Sequence, residues 1–180
     1  LDLRHAPSVE SFTRYLDATK TRLDILINNA AQTVRRPPGF YAHLMRVEET
    51  PVADLPSEVR SLLAGYDECR RALGGQEGGA IGDGTGWLSE WHRGKLAPAL
   101  GVVAAAQLSQ LPYACDDPAV RNPLLFPEGQ LDADLQQVDR RSMNSWRMTL
   151  ADVPTAELLE VQLVNAVAPF ILCSKLKPLM

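Results

Sequence analysis

The sequence predicts an α/β fold in which part of a doubly wound parallel sheet carries a mainly helical and irregular insertion. The first reason is the apolar run at residues 23–27, which contains two isoleucines and is typical of a strand buried on both faces. The second is a helix pattern directly before it. The third is the abrupt change at residues 28–31 to Asn-Asn-Ala-Ala. Because open α/β sheets bind ligands at the carboxyl ends of their strands, we expect a ligand at this point.

The helix before the strand is predicted to begin at Ser8, whose hydroxyl is a suitable cap, and to end near Thr19. Val9, Phe12 and Leu16 recur at helical spacing and form its apolar face. The helix followed directly by a strand is one step of a doubly wound sheet.

A long helix is predicted over residues 154–175, with Pro154 acceptable in its first turn. Pro169 lies inside it and removes one backbone hydrogen bond, so we expect a kink rather than a break. We expect the helix to be buried, because little polar surface is left by its apolar residues: Leu158, Leu159, Leu163, Val164, Val167, Phe170 and Ile171.

The interval between strand and long helix is too long for a plain loop. Ser57 is predicted to cap a helix that runs to about Leu73, and a second helix is predicted over residues 98–111. We therefore divide the chain into residues 1–31 with 153–180, which we expect to belong to one α/β unit, and an inserted subdomain at 32–152. A glycine-rich stretch at residues 78–84 is interpreted as a surface loop, because no buried strand precedes it.

Composition excludes several classes of protein. The net charge of -4 at pH 7 disfavours a nucleic-acid partner, which requires a basic face. The three cysteines have no paired spacing, which indicates a reducing, cytoplasmic location, and the three histidines have no metal-ligand spacing. No uninterrupted apolar run approaches the ~20 residues of a membrane span, so we expect no membrane partner.

Three motifs in order resemble the short-chain dehydrogenase/reductase family. The fourth strand of that family ends in Asn-Asn-Ala-Gly, and residues 28–31 here read Asn-Asn-Ala-Ala. Residues 1–3, Leu-Asp-Leu, are similar to the end of the third strand of the family. Residues 164–170 are similar to its long helix with an active-site Asn, here Asn165, and the Leu-x-Pro-x-Met ending of that helix is present at residues 176–180.

The resemblance implies a Rossmann-like domain that binds NAD or NADP and transfers a hydride to or from a small carbonyl or alcohol substrate. It implies that Asn165 is catalytic, holding a water in the proton relay, and that the full-length protein is a homo-oligomer. The cofactor-binding residues that it implies are Asp2, Leu3, Asn29, Ala30 and Ala31. It does not distinguish NAD from NADP.

Other parts of the family pattern are absent from these 180 residues. The phosphate loop would precede Leu1, and none of the four tyrosines begins a Tyr-x-x-x-Lys motif. We therefore expect a catalytically inactive internal fragment of a longer enzyme. The alternative is a non-catalytic dinucleotide-binding or scaffold protein with a degenerate site. Arg35 and Arg36, just past the predicted strand, are candidates for holding a phosphate or a substrate carboxylate, or are solvated loop charges.

Overall fold

The structure is a computed structural model that describes residues 1–74, 98–113 and 122–180. The predicted glycine-rich loop at residues 78–84 lies outside these ranges. In the described residues the helices are α1 (Ala6–Thr19), α2 (Pro38–Tyr41), α3 (Met45–Glu48), α4 (Ser57–Gly74), α5 (Leu100–Val103), α6 (Ala105–Leu108), α7 (Thr155–Gln162) and α8 (Ala168–Leu176). Single 3-10 turns occur at Ala42–Leu44, Val52–Asp54 and Lys177–Leu179, and a π-helical turn at Leu163–Val167 joins α7 to α8.

The predicted parallel sheet is wrong for the described residues, which are mainly helical and contain no named strand. The predicted Rossmann-like fold is therefore also wrong for the described residues. Extended pairing there is limited to one isolated antiparallel bridge between Leu131 and Gln137. Residues 23–27 have the composition of a buried strand, yet Ile25 is 72% exposed and Ile27 is 77% exposed. A strand forms only when a second segment completes its ladder of hydrogen bonds, and no described segment lies in that position.

Residues 23–35 instead run along the long helix in the opposite direction. The Leu23 amide donates to the Leu179 carbonyl at 2.8 Å, and at the other end the Arg35 amide donates to the Glu157 carboxylate at 3.1 Å. At 1.5 Å per helical residue these helix positions are roughly 30 Å apart. Twelve residues cover that distance only when nearly extended, so the chain is drawn out along the helix.

Helix α1 packs against α8 and closes the core. Val9 and Leu176 are almost completely buried there, with Ile171 and Leu172 beside them, and Phe12 and Leu16 pack around this centre. The predicted apolar face of α1 is therefore confirmed. The predicted cap is wrong: the helix begins two residues before Ser8, and the Ser8 side chain is buried.

The long helix was predicted to bury its apolar residues, but several of them are exposed. Glu157 and Glu160 are buried, whereas Leu158 and Leu159 are more than half exposed and Phe170 is 70% exposed. The two acids face inward because their partners lie on that side: Arg4 and Arg35 for Glu160, and the Arg35 backbone amide and Ser145 hydroxyl for Glu157. Within the described ranges, the span Thr155–Leu179 is long and apolar enough to cross a membrane, with a mean hydropathy of 1.5, a test that core helices of soluble proteins also pass.

Pro169 is accommodated without a break. The π-helical turn ends at Val167, so Pro169 falls directly after it, and the widened turn accommodates the proline while the helix continues. The expected distortion is present, and its form is a π-helical turn with Asn165 at its centre.

In the 32–152 interval the described residues form short helices, turns and α4. Helix α4 has the predicted bounds to within one residue. The predicted helix over residues 98–111 is wrong as a single element: α5 and α6 are separate because Ala104 departs from helical geometry, with φ -134° and ψ 36°. Phe40 and Phe126 meet edge to face and hold distant parts of this interval together.

Candidate functional site

A pocket of about 450 Å³ lies where the N-terminal residues, the drawn-out segment and the long helix meet. Asp2, Leu3 and Ala30 line it, and Val164 of the π-helical turn contributes an apolar wall. The 32–152 interval supplies the remaining side, which is lined by Tyr41, Leu44, Met45, Glu48, Ala105, Ala106 and Ser109. The pocket is therefore built from both parts into which the sequence was divided.

The structure brings together three of the residues expected to bind a cofactor. Asp2, Leu3 and Ala30 are far apart in sequence and share this pocket. Asn29 and Ala31 do not line it, although all three residues from Asn29 to Ala31 are exposed. Alternation along a drawn-out chain explains the difference, since neighbouring side chains point to opposite sides.

The carboxylate of Asp2 is fully engaged by Arg4. The Arg4 backbone N–H and Nε donate to Asp2 Oδ1 at 2.9 and 3.0 Å, and Nη2 donates to Oδ2 at 2.7 Å. Burial by itself would lower the pKa of Arg4, but the hydrogen bond and charge of Asp2 and the charge of Glu160 outweigh burial and raise it. Arg4 is therefore a permanent cation at the pocket wall.

Glu160 is the carboxylate that the sequence analysis missed. Its side chain is only 7% exposed, and Gln32 Nε2 donates to its Oε1. Arg4 Nη1 and Arg35 Nε lie 3.6 and 3.4 Å from Oε2 as ion-pair partners. In the described part of the chain, Oε2 is nevertheless a buried oxygen without a hydrogen-bond donor.

Tyr41 lies on the same wall. Burial raises the pKa of Tyr41, the charge of Glu160 raises it further, and the arginines Arg4, Arg36 and Arg35 partly oppose both effects. Its hydroxyl therefore stays protonated at neutral pH and is available both as a donor and as an acceptor.

Asn165 lies at the end of the 28–31 segment, as expected. Its Nδ2 donates to the Gln32 carbonyl and its Oδ1 accepts from the Gln32 amide, both at 2.7 Å. This two-point clamp uses the whole side-chain amide to fix the backbone directly beyond Ala31. The geometry gives Asn165 a positioning role, and its role in catalysis stays a prediction.

The two arginines singled out in the sequence are held inside the protein. Arg35 is buried: its Nε donates to the Tyr113 hydroxyl at 2.9 Å, and its guanidinium lies 4.3 Å from the centre of that ring. Arg36 pairs with Asp139 at 3.6 Å and stacks over Phe40. Neither lines the pocket, so their expected role with a phosphate or substrate is left as a prediction.

A sequence signal for Glu160 did exist. Glu157 and Glu160 are three residues apart on an otherwise apolar helix and therefore share one face. Two acids on one face of such a helix indicate buried cationic partners. That signal was hidden because the leucines between them dominated the interpretation.

Comparison with protein-family models, with curated proteins and with solved structures finds no match to this chain. Among the described residues, no group of three or more His, Cys, Asp or Glu side chains is arranged to hold a metal ion. A function for this chain is therefore inferred from the residues that line the pocket.

Proposed function

We propose that this chain carries the adenosine-binding part of an NAD- or NADP-dependent oxidoreductase of the short-chain dehydrogenase/reductase type. The reaction would be hydride transfer between the nicotinamide and a small carbonyl or alcohol substrate. One observation supports the proposal above all others: Asp2, Leu3 and Ala30, each predicted from sequence to contact the cofactor, line one pocket.

The pocket has the character that a purine nucleoside requires. Its volume lies within the range of small-molecule sites, roughly 300–1,000 Å³. Ala30, Val164 and Met45 offer apolar surface to a flat ring. A few polar groups, among them Tyr41 and Ser109, converge on the same space and can orient a ligand.

In the proposed reaction Asn165 acts through position. By clamping the Gln32 backbone it fixes the segment that carries Ala30 against the base. The π-helical turn around it changes the backbone pairing of the helix, and such turns are frequent at functional sites.

The second candidate is a non-catalytic dinucleotide-binding or scaffold protein. It is favoured by the lack of a Tyr-x-x-x-Lys motif in these residues, since that motif supplies the proton donor of the reaction. Both candidates require the nucleotide site, so nucleotide binding by these 180 residues tests what they share; only turnover by a longer chain that supplies the proton donor would separate them.

The nucleotide site is tested by calorimetric titration of the 180-residue chain with AMP, NAD and NADP. Ala30→Leu fills the pocket and should weaken AMP binding by about tenfold or more. Ala31→Leu is the matched control, because Ala31 is the next residue along the chain and is also exposed but does not line the pocket. This variant should keep its AMP affinity within about twofold of wild type. The proposal fails if none of the three nucleotides binds, or if the two variants behave alike.

A further inference from the structure

We propose that Glu160 recognises the 6-amino group of adenine and makes the pocket selective for a 6-amino over a 6-oxo purine. The inference rests on the proposed function and deepens it by naming the group that reads the base. The amino N–H would donate to Glu160 Oε2.

The starting point is the unsatisfied oxygen. Glu160 is 6% exposed, lines the pocket, and has one oxygen, Oε2, that accepts no hydrogen bond from the described residues. Leaving a buried carboxylate oxygen without a donor costs free energy, which a bound donor would recover. The other oxygen already accepts from Gln32, so the side chain is held in place while Oε2 lacks a donor.

The other two carboxylates of the pocket are less suited to this role. Both oxygens of Asp2 accept hydrogen bonds from Arg4. Glu48 is exposed, so water satisfies its oxygens and an interaction with it is weak. The Tyr41 hydroxyl can donate or accept, so it binds an amino or an oxo group equally well. The Ser109 hydroxyl already donates to the Ala106 carbonyl at 2.6 Å and accepts from Gln110, so it does not select between the two groups.

The charges around Oε2 identify the ligand group as a neutral donor. The pocket is lined by three carboxylates, Asp2, Glu48 and Glu160, and by one guanidinium, Arg4, so the group bound at Oε2 is not a phosphate, and the 5′-phosphate of AMP would point away from Oε2. An ammonium group would also be disfavoured, because Arg4 and Arg35 already lie within 4 Å of Oε2. A neutral aromatic amine has the required N–H without either charge.

Selectivity follows from the chemistry of acceptors. A 6-oxo purine would place its carbonyl oxygen against the carboxylate oxygen, leaving two acceptors face to face and neither satisfied. Because a hydrogen bond to a charged group is lost, we expect AMP to bind about tenfold or more tightly than IMP.

The test measures AMP and IMP affinities on the same chain and compares their ratio. In Glu160→Gln the side-chain amide can offer either oxygen or N–H, so the AMP/IMP ratio should fall close to one. Glu157→Gln is the matched control. Glu157 is equally buried one turn earlier, but its oxygens accept from the Arg35 amide and the Ser145 hydroxyl, and it does not line the pocket. The AMP/IMP affinity ratio of Glu157→Gln should stay at the wild-type value.

A second measurement needs no variant and guards against a misfolded Glu160→Gln chain. Purine riboside 5′-monophosphate lacks only the 6-amino group and should bind the wild-type chain about tenfold more weakly than AMP. If AMP, IMP and this analogue bind equally, the role of Glu160 is refuted while the proposed function stands. If no purine nucleotide binds, both proposals fall.

Discussion

The Ser8 side chain connects α1 to residues 98–101, where α5 begins. It is fully buried: its hydroxyl donates to the Pro98 carbonyl at 3.0 Å and accepts from the Gly101 amide at 2.7 Å. His5 Nδ1 lies 2.6 Å from the same oxygen. A residue predicted as a helix cap thus serves long-range packing, which local sequence patterns cannot reveal.

His5 should make stability depend on pH. Burial lowers the pKa of His5, although the charge of Asp2 partly opposes this. The unfolded chain, with a pKa of about 6.5, therefore binds more protons than the folded chain in the window below that value. The free energy of unfolding should rise with pH through this window and level off above it. Urea unfolding of wild type and His5→Asn between about pH 5 and 8 checks this. Identical pH slopes in the two chains would contradict it.

At the residue scale some of the candidate residues lie together, and whether they bind a cofactor stays a prediction. Asp2, Leu3 and Ala30 do share a pocket, and Asn165 does lie beside the 28–31 segment. The engagement of Asp2 by Arg4 and the open oxygen of Glu160 depend on which charges meet across the fold. Such pairings are non-local, and the spacing of residues along the chain does not contain them.

Gly101 of α5 lies close to the start of α1. A Cβ added there would lie 3.0 Å from the Ser8 side chain and 3.1 Å from His5 Cβ. Gly101→Ala should therefore destabilise the fold by about 1–3 kcal/mol. Gly65→Ala is the matched control: Gly65 lies in α4 with nothing within 4 Å, so alanine should stabilise by about 0.5–1 kcal/mol. Thermal unfolding of both variants measures the difference, and shifts of the same sign would refute the assigned contact.

At the element scale, predictions held where one amphipathic pattern decides the structure. Helix α1 buries its apolar stripe and forms close to its predicted bounds. Helix α4 also forms at its predicted bounds, although Val59, Leu62 and Tyr66 are exposed. The long helix is apolar on nearly every side, so its sequence did not specify which side is buried. Two glutamates determined it, because a buried ion pair requires its partner whereas an exposed leucine is tolerated.

At the scale of the whole molecule, the strand prediction failed because no described segment pairs with residues 23–27. Residues 23–27 have the composition of a strand, and their contacts along the long helix draw them out as a strand would be. A sheet is a property of two segments, and a single run cannot specify its neighbour.

The 180-residue chain should bind nucleotide without turning it over. Protein-dependent oxidation of NADH or NADPH with a carbonyl substrate should be undetectable, because no Tyr-x-x-x-Lys proton donor exists in these residues. Absorbance at the reduced-nicotinamide band measures this, with AMP binding in the same preparation as proof of a folded site. Turnover above the protein-free control would show that another group donates the proton.

The π-helical turn at Leu163–Val167 also fixes how the side chains of α7 and α8 are rotated relative to one another about the helix axis. Each residue advances a helix by about 100°, so one extra residue in a turn rotates everything beyond it relative to everything before it. Before the turn, Glu160 lines the pocket; after it, Ile171 and Leu172 pack in the core beside α1. The alignment of the ligand side with the packing side thus depends on the length of one short segment. In this stretch of the chain, insertions and deletions are more disruptive than substitutions.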